Sequence, residues 1–200
     1  MKRISIKLKT LLMVLTMSLG GLCAATDGNQ KDLVVLLPIN HLCEPGKQIS
    51  LRVQIPKGYK PLQDMASFAA TGLGEFIPVS DTDPYNWSEI FTVQTMPGKG
   101  IKASQGVAHI QQMIAGQSSE MEVLSSTNKD MGSYQVASAL IRYKTSKRQE
   151  LCYVQYMSGP MDLSGFQFSV PVIGKQGEAE ARKKIERMKN NKAIIDIIKS

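Results

Sequence analysis

Apolar and polar positions alternate most clearly between 49 and 55, where Ile49, Leu51, Val53 and Ile55 are interleaved with Ser50, Arg52 and Gln54. A period of two puts the four apolar side chains on one face, the mark of a half-buried strand in an antiparallel sheet. Upstream, Leu33 to Ile39 is apolar except for Pro38 and predicts a short buried strand, with Pro45-Gly46 as a turn before the next. Residues 57–86 are the least regular stretch, with one short strand expected from Glu75 to Val79. Trp87 to Gln94 returns to strand composition, and Met96 to Gly100 reads as a loop.

The period then changes. Val107, Ile110, Met113 and Ile114 recur at helical spacing and predict a helix over 104–116, with Ser104 as its cap. Four strands are expected next, at 120–125, 134–143, 149–157 and 166–172, with the short polar loop Lys144–Arg148 favouring a hairpin. A long C-terminal helix is expected over 178–199. Ala181, Ile185 and Met188 form its apolar stripe, Glu178–Arg182 and Glu180–Lys184 are spaced for ion pairs, and an isoleucine-rich stretch closes it. Strands in runs, rather than strict alternation with helices, predict an α+β fold. The expected architecture is a mainly antiparallel sheet of about six strands, covered by the mid-chain helix and the C-terminal helix.

Composition adds where the chain goes. At 42% hydrophobic and 20% charged, the 200 residues have enough apolar surface to fold. The first 25 hold Lys2, Arg3, Lys7 and Lys9, an apolar run from Leu11 to Leu19, and the small residues Cys23, Ala24 and Ala25. That is the three-part pattern of a secretory signal peptide, with an apolar core too short for a bilayer span. Lipidation at Cys23 is disfavoured by Leu22, a bulky residue where a small one is required. The expected organisation is a signal peptide at 1–25, a loose tail at 26–32 and a single α+β domain to residue 200. Loss of the leader removes four basic residues and no acid, leaving 20 basic against 17 acidic and lowering the formal charge from +7 to +3. Nucleic acid is therefore not an expected partner, and no transmembrane segment remains in the mature chain.

With Cys23 removed, Cys43 and Cys152 form a candidate disulfide in an oxidising compartment, closing a loop of about 110 residues. The alternative for Cys152, inside Leu151-Cys152-Tyr153-Val154, is a small buried hydrophobe. Chemistry is sparse otherwise. His41 and His109 are the only histidines, no metal-ligand spacing occurs, and no metal or cofactor is expected. There is no nucleophile elbow. Gly98-Lys99-Gly100 before a helix only loosely matches a phosphate loop, and a plain strand-to-helix connection explains it better. Tyr134, Tyr143, Tyr153 and Tyr156 suit one sheet face or the space beneath a helix. Trp87 reads as the anchor of its loop. The C-terminal helix carries the basic excess, with Lys183, Arg187 and Lys192 as candidate docking residues beside Trp87 and a solvated face as the default.

The segment Asn86-Trp87-Ser88-Glu89-Ile90-Phe91-Thr92-Val93-Gln94 resembles the strand-opening motif of small exported proteins of Gram-negative bacteria of the Legionella and Coxiella type. The element order over 33–199 is similar to the Mog1/PsbP-like α/β/α sandwich. That resemblance implies a binding or assembly factor and carries over no catalytic residue. The leading expectation is a non-enzymatic periplasmic or secreted accessory of the cell envelope, linked to secretion or virulence, that binds an envelope protein. The alternatives are a thiol-dependent hydrolase using Cys152 and a histidine, and a carrier of a small ligand in an aromatic-lined cleft.

Overall fold

A computed structural model describes residues 34–38, 49–98, 100–191 and 194–199. The leader and tail, Cys23, His41, Cys43 and Lys192 lie outside them. In chain order the elements are β1 (Val34–Pro38), β2 (Ile49–Gln54), β3 (Tyr59–Pro61), α1 (Met65–Thr71), β4 (Leu73–Pro78), β5 (Ile90–Pro97) and α2 (Ala103–Gln117). β6 (Glu120–Asp130), β7 (Gln135–Lys144), β8 (Gln149–Ser158), β9 (Asp162–Pro171), α3 (Gly177–Lys189) and β10 (Ile195–Lys199) follow. Seven strands form an antiparallel sheet in the order β3-β4-β5-β9-β8-β7-β6. β1, β2 and β10 form a separate antiparallel sheet with β2 central.

Alternation along the central strands divides the side chains between two cores. On one face Ala137, Ala139, Ile141, Val154, Tyr156 and Leu163 meet Ala103, Val107 and Ile110 of α2. Helix and sheet approach closely because Gly106 and Gly165 leave room for the Tyr156 ring. A Cβ at Gly106 would stand 2.9 Å from Tyr156 Cγ, and one at Gly165 2.3 Å from the Gln155 carbonyl oxygen. On the other face lies a second layer made of α1, α3 and the small sheet. Ala181, Ile185 and Met188 of α3 and Leu51 and Val53 of β2 share one cluster with Phe91, Phe166 and Phe168. The Phe91 and Phe166 rings stack with centroids 5.8 Å apart.

The α+β class, the antiparallel pairing and the hairpin at 144–148 are as expected, and the strand count and C-terminus are not. The first two strands do not join the main sheet, which has seven strands rather than about six. The helix expected over 178–199 ends at Lys189, with Asn190 as its C-cap, and Ile195–Lys199 pairs antiparallel with β2. The physical reason is β-branching. Ile195 and Ile197 pack on the core while Asp196 is exposed, a period of two that suits a pleated strand better than a helix. α1 is a further difference, a single short helix in the stretch read as irregular. Asp64 caps it, its side chain accepting from the Ser67 N–H at 2.7 Å, and Gly72 ends it at φ +68°. At α2 the cap is not Ser104: the Gln105 side chain accepts from the Lys102 N–H at 2.7 Å and the Ser158 hydroxyl from the Ala103 N–H at 2.9 Å.

Candidate functional site

The sheet buries its apolar positions on both faces, so anything it offers a partner must come from its rims and the outer faces of its helices. α3 is the more heavily charged helix, and most of its charge is used internally. Arg182 donates to Glu178 at 2.7 Å, and Arg142 of β7 reaches the same carboxylate at 2.9 Å while also holding Glu122 of β6. The two guanidinium groups, Arg182 first, hold the Glu178 carboxyl below its ordinary range. Lys184 bonds Glu89 at 2.8 Å, and Tyr59 donates its hydroxyl to the same carboxylate. Burial, then Glu89, pushes the Tyr59 phenol far above its usual range. Lys189 pairs with Glu186 and sits 5.0 Å from the centroid of the Tyr153 ring. Of the expected docking residues, Lys183 and Arg187 are exposed on α3, without an ion pair to any described residue.

Trp87 does not join that face. Its ring lies under the Arg148 guanidinium, 3.9 Å from centroid to Cζ, and its carbonyl accepts from the same group at 2.9 Å. Arg148 in turn donates to the buried Glu150 at 3.0 Å, so Trp87 clamps the β4–β5 loop to the β7–β8 turn. Tyr85, two residues earlier, is 78% exposed.

Cys152 is 1% exposed, and burial pushes its thiol up to about 12, against a lowering hydrogen bond from Ser169. A nucleophile needs the thiolate and an open approach, and this site denies both. His109 lies exposed on α2. By alternation along β8, Cys152 belongs with Val154 and Tyr156 to the face that α2 covers, and its expected partner Cys43 lies outside the described residues. Among the described residues no group of three or more His, Cys, Asp or Glu is placed to hold a metal ion. The amides of Gly98 and Gly100 donate to the carbonyls of Met161 and Pro160, so they tie loop to loop rather than cradle a phosphate.

The tyrosines do not line a common cleft. Tyr143 and Tyr156 lie on the α2 side, Tyr134 and Tyr153 on the other. The helix–sheet space of the expected ligand cleft is filled where Gly106 seats on Tyr156. Among the described residues one open cleft is polar, lined by Glu120, Glu122, Arg142 and Lys144, and another is lined by Ile101, Tyr134, Gln135 and Ser158.

The outer face of α2 is the feature that sequence reading missed. Ala103–Gln117 contains no aspartate, glutamate, lysine or arginine, and Gln105, Ala108, Gln112 and Met113 are exposed on it. Beside it runs β6, the edge strand of the large sheet, exposed at every position but one. Met113, Met121 and Val123 are 47%, 37% and 40% exposed there. Interface cores are depleted of charge and enriched in methionine, and this flank has both properties. The signal is legible as a run of 17 residues, 103–119, free of formal charge in a chain that is 20% charged.

No protein-family model matches the chain, and no curated protein is significantly similar to it in sequence. Among solved structures the chain is similar to the Ran-binding protein Mog1p of Saccharomyces cerevisiae, at 11% identity over 66% of this chain and 78% of that chain, with a TM-score of 0.44. It is similar to LpqN of Mycobacterium tuberculosis, involved in cell envelope biogenesis, at 8% identity over 76% and 86%, with a TM-score of 0.46. A third likeness is to the cyanobacterial PsbP of Synechocystis sp. PCC 6803, at 10% identity over 79% and 96%, with a TM-score of 0.46. Likenesses of this size carry no functional argument. No helix among the described residues is long and apolar enough to cross a membrane.

Proposed function

We propose that this protein is an exported, non-enzymatic binding or assembly accessory of a Gram-negative cell envelope, acting in secretion or virulence, and that it meets its envelope protein on the flank formed by α2 and β6. The charge-free outer face of α2, with Met113 exposed on it, carries the reading. A surface depleted of charge and carrying exposed methionine has the composition of an interface core. The leader-like pattern of residues 1–25 supports export.

The candidate docking set Trp87, Lys183, Arg187 and Lys192 is the competing location. Lys183 and Arg187 are available for it, whereas Trp87 is engaged with Arg148. Photo-crosslinking in the intact envelope separates the two. A crosslinker at Gln112 or Met113 is expected to trap an envelope protein that one at Lys183 or Arg187 does not, and the reverse pattern transfers the function to α3.

A further inference from the structure

The seven-stranded sheet ends differently at its two edges. β3 has three residues and closes on Pro61, a blunted edge. β6 has eleven residues and no proline, and among the described residues nothing pairs with its outer side. An open edge of that length is a template for another strand. Its charges say which one.

β6 carries one β-bulge. Val123 faces Ile141 and Ser125 faces Leu140 on β7, so Leu124 is the inserted residue. From Val123 to Asn128 the strand has no charge, with Glu120 and Glu122 before that run and Lys129 and Asp130 after it. In an antiparallel pairing of β6 with its own copy about Ser126, and with the bulge counted as the β7 register counts it, Thr127 falls opposite Ser125. Lys129 then falls opposite Glu122 of the other copy, at both ends of the seam, as a second cation beside a carboxylate that already accepts from Arg142 of its own chain. Asp130 falls opposite Met121, so no two like charges are in direct opposition.

We propose that a second copy of this chain adds antiparallel to β6, centred on Ser126, so that the two large sheets become continuous and each α2 flanks the seam on the same side. The inference goes beyond the envelope-accessory reading and does not rest on it. Edge pairing between copies is self-complementary in its backbone hydrogen bonds. The bulge and Lys129, devices that ordinarily discourage strand addition, here favour one register over its neighbours. A net positive charge, +7 on the whole chain and +3 without residues 1–25, makes two copies repel over most approaches, and the uncharged run from Val123 to Asn128 beside the charge-free face of α2 is where they can meet.

Sedimentation of the protein purified from its host tests this directly. A dimer is expected at micromolar concentrations. Lys129→Glu is expected to weaken it at least about tenfold, and combining it with Glu122→Lys to recover only part of the loss, because the new lysine also lies beside Arg142. Ser126→Cys is expected to crosslink to its own copy under mild oxidation. All of these positions are exposed, so a circular dichroism spectrum like that of the parent confirms that each variant folds. A monomer at all concentrations, a dimer indifferent to Lys129→Glu, or a swap that recovers none of the pairing overturns the proposal. So does a β6 edge occupied only by a foreign strand. An envelope partner that binds a monomeric chain would leave the functional reading standing while this one fails.

Discussion

α2 and α3 lie on opposite faces of one sheet and solve the same packing problem with different surfaces. Both bury a narrow stripe of small and aliphatic residues, Ala103, Gly106, Val107 and Ile110 on α2 and Gly177, Ala181, Ile185 and Met188 on α3. Outward, α3 presents a dense set of charges, of which Glu178, Arg182, Lys184, Glu186 and Lys189 are paired with Glu89, Arg142 and one another, and Lys183 and Arg187 have no ion pair to a described residue. α2 presents glutamine, alanine, methionine and one histidine, His109, and no residue of formal charge. A helix whose charges are already paired gains little by meeting a partner, because docking would strip water from ions that are content where they are. Burying an uncharged helix face carries no such penalty. The difference teaches that a basic count on a helix is a poor guide to its use until its ion partners are known.

The comparison breaks most sharply at Ile185, 1% exposed beneath α3. Ile185→Asp buries an unpaired carboxylate and is expected to cost about 4 kcal/mol in chemical denaturation. On the α2 side, Gly106→Val drives a branched side chain into Tyr156 and is expected to cost about 1–3 kcal/mol. A variant of Gly106 with unchanged stability would show that the helix can ride away from the sheet, which the close packing at Gly165 opposes.

Smaller effects sharpen the electrostatic side. The Glu178 carboxyl is held below its ordinary value of 4.5 in the folded chain, so its pairing stabilises at pH above that value and the contribution is lost as pH falls through the lowered one. Glu178→Gln is therefore expected to lower stability at pH 7 but not at strongly acid pH, flattening the acid limb of a stability profile. Equal loss at both ends would mean that the Arg142–Glu178–Arg182 cluster is held by packing alone. Smallest of all, replacing Lys183 and Arg187 by Gln is expected to change stability by only about a few tenths of a kcal/mol each, since both are exposed. At the buried thiol, a thiol reagent is expected to leave Cys152 untouched in the native protein and to modify it after unfolding. Modification only after reduction would place it in a bridge instead.

Much of the fold was legible in its periods. The alternation of Ile49, Leu51, Val53 and Ile55 yielded β2 with its buried face, and the helical spacing of Val107 and Ile110 located α2 to within a residue or so. What alternation cannot supply is the strand's partner, and β2 pairs with β1 and β10 rather than with the main sheet. The ends of the chain's elements were harder. Ile194 to Ile198 was read as helix by continuity with the stripe before it, although Asn190-Asn191 had already interrupted the helix and four β-branched residues favoured a strand. α1 escaped notice because seven residues show too little periodicity, even with Asp64 and Gly72 at its ends. For the candidate site, the sequence suggests that Trp87 anchors its loop onto the core, whereas its ring packs on Arg148, 61 residues away in sequence, and no local pattern joins them. The uncharged helix was visible throughout and was overlooked because attention went to residues that are present rather than to charges that are missing.

The central claim is that docking belongs to the uncharged α2–β6 flank and not to the charged face of α3. Quantitative capture of the envelope partner by three forms of the tagged protein tests it: the parent chain, Met113→Glu, and Lys183→Gln combined with Arg187→Gln and Lys192→Gln. The account predicts that Met113→Glu, a folded variant because Met113 is 47% exposed, loses at least about tenfold in capture, while the triple variant captures as the parent does. Retention by Met113→Glu together with loss in the triple variant would contradict it and move the docking surface to α3.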